Sequence, residues 1–101
     1  MGASPAPPAK PPMVLVRFTQ SIQRHVACPA LEASGSSVGE VLEGVFAGNA
    51  RARGYVLDDQ GALRDHMTIF VDGRPIKDRA GLSDPVRPDS KVDVRQALSG
   101  G

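Results

Sequence analysis

The chain has 101 residues, a single cysteine (Cys28) and no tryptophan. One thiol closes no internal disulfide, which argues against a stapled secreted scaffold and fits a reducing cytoplasm. Aromatic residues make up 4% of the sequence, too few to build base-stacking platforms. The 12 Lys and Arg are scattered against 11 Asp and Glu, with no basic run, so no nucleic acid is expected as a partner. No apolar stretch approaches the ~18 residues of a membrane span. Residues 1–12 lack an apolar core and do not read as a signal peptide. Met1-Gly2 lacks the downstream hydroxyl of a myristoylation start, since Ala6 stands there.

Catalytic constellations are equally scarce. The glycines are too dispersed for a Walker or dinucleotide loop. His25 and His66 do not sit at ligand spacing from Cys28, so no metal site is expected. Cys28 reads as a half-buried structural thiol. Asp58-Asp59, followed by Gln60-Gly61, reads as a solvated turn rather than an acid/base pair.

What is present divides into three segments. Residues 1–12, rich in Pro and Ala, have nothing to bury and are expected to be disordered. Residues 13–97 form one domain, and 98–101 a flexible tail. A domain of that size buries roughly 60–65% of its unfolded surface, enough to fold alone but with little room for an internal cofactor cavity.

Within the domain, Met13 to Thr19 alternates, with Val14, Val16 and Phe18 on one face of a predicted strand. Gln20 to Gln23 reads as a polar turn, and Arg24 to Cys28 as a returning strand stopped near Pro29. Ser37-Val38-Gly39-Glu40 fits a capping box. Val38, Val41, Leu42, Val45 and Phe46 then follow as a single helical stripe, with Gly48-Asn49 as its stop. Gly54 to Leu57 suggests a short strand. Met67 to Val71 is a strand that turns at Asp72-Gly73 into a short edge strand, Arg74 to Lys77, where Pro75 cannot serve a central ladder. A loop with two prolines, Leu82 to Pro88, and a turn at Asp89-Ser90 lead to a last strand, Lys91 to Ala97, with Val92 and Val94 inward. This order predicts an α+β fold, a mixed sheet with one main helix packed on one face, of the β-grasp (ubiquitin-like) type.

The sequence ends Leu98-Ser99-Gly100-Gly101. Glycine has no Cβ, so a Gly-Gly end can enter a narrow slot and admit a partner's backbone. A terminal α-carboxyl, with a pKa of ~3.5, is ionised at neutral pH and is a nucleophile toward a phosphorus centre. A frayed terminus would look the same in isolation. The weight of this end comes from its place just beyond a strand.

Several pieces taken together resemble the ThiS/MoaD family of ubiquitin-like sulfur carriers. They are the helix opening Ser37 to Leu42, the segment Met67 to Ile76 with its Phe70-Val71-Asp72-Gly73 hairpin, the stretch Pro88 to Val92, and the closing Ala97 to Gly101. The resemblance spans roughly Val14 to Gly101 and leaves the Pro-rich leader outside. It implies a carrier protein rather than an enzyme. A ubiquitin-activating-type adenylating enzyme would use ATP and Mg²⁺ to convert the Gly101 carboxylate to an acyl-adenylate. Sulfur would then replace AMP to give a thiocarboxylate for a sulfur-accepting synthase in cofactor or metabolite biosynthesis. Gly100 would permit entry of the tail. By analogy a docking patch would lie near the tail's root, at Phe70, Arg95, Ala97, Leu98 and Ser99. Alternatively, Phe70 is covered by the loop Leu57 to Leu63. Two other functions stay open, a ubiquitin-like modifier conjugated through its Gly-Gly end and a plain β-grasp interaction module. The acceptor pathway is not legible in the residues.

Overall fold

The computed structural model describes residues 13–96. The leader and the segment Ala97, Leu98, Ser99, Gly100 and Gly101 lie outside the described residues, so the expected boundaries of tail and domain fall there too.

Five strands form one mixed sheet in the order β2-β1-β5-β3-β4. The first, β1 (Val14–Phe18), buries Val14, Val16 and Phe18 as its alternation requires. It pairs in parallel with β5 (Lys91–Gln96), and β5 pairs antiparallel with β3 (Met67–Val71). Valines 92 and 94 and Met67 and Ile69 complete the inner face, all fully buried.

Helix α2 (Val38–Phe46) lies against that face with Val38, Val41, Leu42, Val45 and Phe46 buried. The Phe18 and Phe46 rings meet at 6.2 Å. Ser37 Oγ accepts from the Glu40 amide at 3.3 Å, half of the expected capping box. The other half is displaced by one residue. The Glu40 carboxylate accepts from the Ser36 amide at 2.9 Å and from the Ser36 hydroxyl at 3.1 Å. These bonds hold its pKa below the ordinary value, the Ser36 amide being the larger cause.

Three expectations are corrected. The hairpin partner of β1 is not Arg24 to Cys28 but β2 (Leu31–Ala33), paired as Val14 with Ala33 and Val16 with Leu31. Residues Gln20–Gln23 form a helical turn, α1, rather than a polar turn. Burial of Ile22 drives this, since a helical turn swings that one apolar side chain beneath the sheet, where it is 0% exposed. Val26 and Cys28 alternate inward as a strand would, but Pro29 follows, and the chain reaches the sheet edge only beyond it.

The third correction concerns Gly54 to Leu57, which is not a strand. Helix α3 spans Ala50–Val56, opened by Asn49, whose Oδ1 accepts from the Ala52 amide at 3.1 Å. Ala52 and Val56, four apart, are the buried stripe. The main helix is therefore joined by two shorter ones.

The β3–β4 turn is as expected. Asp72 and Gly73 have φ of 51° and 87°, the paired positive values of a type I′ hairpin. β4 (Arg74–Pro75) is the sheet edge. Asp72 also clamps the turn to the start of β5. Its carboxylate accepts from Ser90 Oγ at 2.8 Å and from the Lys91 amide at 2.9 Å, and its own amide donates to the Lys91 carbonyl at 2.9 Å. Ser90 is buried, and its Oγ also accepts from the Arg87 amide.

Two measurements follow. Nothing lies within 4 Å of a Cβ added at Gly54 or at Gly73, so backbone preference alone decides each substitution. Gly54→Ala, within α3, should stabilise by about 0.5–1 kcal/mol. Gly73→Ala, at positive φ, should destabilise by about 1–2 kcal/mol in urea unfolding; equal effects would contradict the turn.

The Asp72 pKa is depressed, first by the Lys91 amide and then by the Ser90 hydroxyl. A carboxyl depressed on folding contributes stability above its unfolded pKa of about 3.9 and loses it as pH falls through the folded value. Unfolding midpoints should thus fall on acidification below about pH 4. They should fall less in Asp72→Asn, whose amide cannot accept both bonds. A parallel decline in the two proteins would exclude this role for Asp72.

Candidate functional site: the end of the central strand and the outer sheet face

β5 is the central strand, and Gln96 is its last residue, opposite Met67. Gln96 is held from below. The Tyr55 hydroxyl donates to Gln96 Oε1 at 2.9 Å. Tyr55 comes from α3 and is flanked by two imidazoles, His25 stacked at 5.5 Å and His66 edge-on at 6.3 Å. This trio was missed in the sequence. No spacing links residues 25, 55 and 66, and reading Tyr55 as a strand residue concealed the face it occupies. The histidines have ring contacts here, and among the described residues no group of three or more His, Cys, Asp or Glu could hold a metal.

The sheet face turned away from the helices is polar and partly exposed. Arg17 reaches across to Asp93, its Nε donating at 2.8 Å and one terminal nitrogen at 3.1 Å. The pair raises the Arg17 pKa further, through the hydrogen bond first and charge second. Asp93 lies opposite Phe70 in the β3–β5 register, and Thr68 opposite Arg95. The Arg95 guanidinium sits over the Phe70 ring, 4.4 Å from its centre. Leu57 and Leu63 bridge one another and are buried in the core. An open cleft of about 470 Å³ runs between β1 and β5, lined by Arg17, Thr19, Asp93 and Arg95 among others.

The structure thus brings Phe70 and Arg95 together, as two of the expected docking residues. The other three, Ala97, Leu98 and Ser99, lie outside the described residues, as do Gly100 and Gly101.

Comparison with solved structures was made on this geometry. SAMP1 from Haloferax volcanii superposes with a TM-score of 0.73 at 15% identity, over 88% of this chain and 99% of that one. CysO in the Amycolatopsis orientalis BexX/CysO complex gives 0.73 at 20% identity, over 87% and 99%. Urm1 from Trypanosoma brucei gives 0.64 at 17%, over 92% and 99%. The fold is the β-grasp. It is the architecture that the sequence resemblance implied. No family model and no curated protein matches the sequence itself. Among the described residues of this β-grasp chain, no helix is long and apolar enough to cross a membrane.

The Tyr55–Gln96 bond can be tested directly. Tyr55→Phe should cost about 0.5–1.5 kcal/mol and lower amide-exchange protection selectively at Arg95 and Gln96. Unchanged protection there would mean the strand end is held by its ladder alone.

Proposed function

We propose that the protein is a ubiquitin-like sulfur carrier in which Gly101 is the reacting residue. What supports this most is the placement of the end of β5. The central strand of a β-grasp sheet, fixed on both sides, leads within five residues to Gly100-Gly101. The chain supplies the acyl group and a surface, and a partner enzyme supplies the chemistry.

A carboxylate is a poor acyl donor. Attack of the Gly101 carboxylate on the α-phosphorus of ATP, with Mg²⁺ balancing the phosphate charge, expels pyrophosphate and gives an acyl-adenylate. A sulfur nucleophile then attacks the acyl carbon, and AMP leaves with the electron pair. Hydrosulfide gives the thiocarboxylate at once. A persulfide gives an acyl disulfide, which a second thiol cleaves to the thiocarboxylate and a disulfide. No side chain of this protein acts as acid or base in these steps. The adenylating enzyme and a sulfur-accepting synthase are the partners, and the outer sheet face around Phe70 and Arg95 is the docking surface nearest the strand end.

A second function has a specific observation in its favour. Three of the matching structures are of SAMP1, two of them spelled out as small archaeal modifier protein 1. Conjugation of the same activated glycine to lysine amines would use the first step unchanged.

The test is intact-mass measurement of the full chain incubated with a ubiquitin-activating-type enzyme, ATP, Mg²⁺ and sulfide. The carrier is expected to show replacement of one terminal oxygen by sulfur, abolished by removal of Gly101. Arg95→Glu should raise the carrier KM about tenfold while leaving kcat little changed. Absence of the sulfur product across such enzymes, or its persistence without Gly101, refutes the carrier. Isopeptide adducts in its place establish the modifier.

A further inference from the structure

A second feature lies at the opposite end of β5. The β3–β4 hairpin and the loop 84–90 enclose an open cleft of about 540 Å³. Because the Asp72 amide bonds the Lys91 carbonyl, this cleft sits at the start of β5. It is separated from Gln96 by the length of the strand, roughly 17 Å.

Three cations rim the cleft. Arg74 and Lys77 stand on the hairpin wall, and Arg87 stands on the loop wall; all three are exposed. Among the described residues their side chains make no hydrogen bond, and Arg87 acts on Asp72 through its charge alone. The two acids of the lining are already engaged. The Asp72 carboxylate accepts from Ser90 and Lys91. The Asp84 carboxylate accepts from the Lys77 amide at 3.1 and 3.0 Å and from the Asp78 amide at 2.8 Å. The acids therefore build the walls, while the cations face solvent. Between them the lining is apolar, with Val71 and Ile76 half-buried and Pro85 exposed.

We infer that this cleft docks an acidic, leucine-type peptide segment of a partner protein, whose carboxylates meet Arg74, Lys77 and Arg87 while its apolar side chains cover Val71, Ile76 and Pro85. Three features select this partner. A compact phosphate needs converging backbone amides, but those of Ile76, Lys77 and Asp78 are taken by Ile69, Asp84 and Asp84, and the Asp72 and Asp84 side chains oppose a dianion held deep between them. An extended segment instead spaces its charges to the rim. Strand addition is disfavoured at this edge because Pro75 has no N–H to offer, so recognition falls to side chains. A nucleic acid would want aromatic faces, and the lining has none. This docking stands whether or not Gly101 accepts sulfur, and it would leave the far end of β5 free.

The experiment uses the full chain and a fluorescent peptide of alternating Glu and Leu, followed by anisotropy and by amide chemical-shift mapping. Saturable binding is expected, weakening as salt rises from about 50 to about 200 mM, with shifts confined to Val71–Lys77 and Asp84–Ser90. Combined Arg74→Gln, Lys77→Gln and Arg87→Gln should weaken it at least about tenfold, and Arg51→Gln on α3 should not. The inference is overturned by no binding, by shifts centred on Arg17, Asp93 and Arg95, by undiminished affinity of the triple variant, or by displacement of the peptide by an equimolar oligothymidylate or pyrophosphate. Should the triple variant unfold by circular dichroism, the shift map of the unmutated chain decides.

Discussion

β5 lies between β1 and β3, parallel to the first and antiparallel to the second. The pairing of β1 with β5 joins residues more than seventy positions apart, from Leu15 with Lys91 to Phe18 with Val94. A parallel pair needs a crossover connection, and here everything between the two strands serves as one. Helices α2 and α3 cover the inner face, and β3 arrives from the far side to complete it. The last strand thus occupies the centre of the sheet, paired with β1 as far as Val94 and with β3 as far as its end at Gln96.

The two ends of that strand are secured by different means. At its start, the Asp72 carboxylate and a buried Ser90 tie the hairpin turn to the Lys91 backbone. At its finish, a tyrosine from α3, braced between two imidazoles, holds the Gln96 amide oxygen. The outer face carries a charge pair and a cation over an aromatic ring. On the proposed function, chemistry beyond one end, docking on the polar outer face and binding in the basic cleft at the other end would use separate surfaces of a small domain.

Much of this was legible in the residues. Alternation in β1, β3 and β5 and the stripe of α2 identified the core correctly, because burial of one face leaves a periodic trace. The Asp72-Gly73 turn was legible because few residues accept its backbone. Short elements were not. In α1 a single residue, Ile22, decides the conformation, and one residue has no period. In α3 the sequence Gly54-Tyr55-Val56 favours a strand locally, and the Asn49 cap with Ala52 and Val56 outweighs it through packing. Of the site, Phe70 and Arg95 followed from strand parity. The meeting of His25, Tyr55 and His66 did not, since tertiary packing alone unites them.

Cys28 is buried, its thiol donates to the Val26 carbonyl at 3.2 Å, and burial pushes its pKa up. A thiol kept protonated and out of solvent neither exchanges with disulfides nor attacks acyl groups at an appreciable rate. The one native thiol is thereby shielded. If Gly101 carries sulfur as proposed, that sulfur and not Cys28 would be the accessible thiol-type nucleophile, and alkylating reagents would label it without any need to mutate the chain.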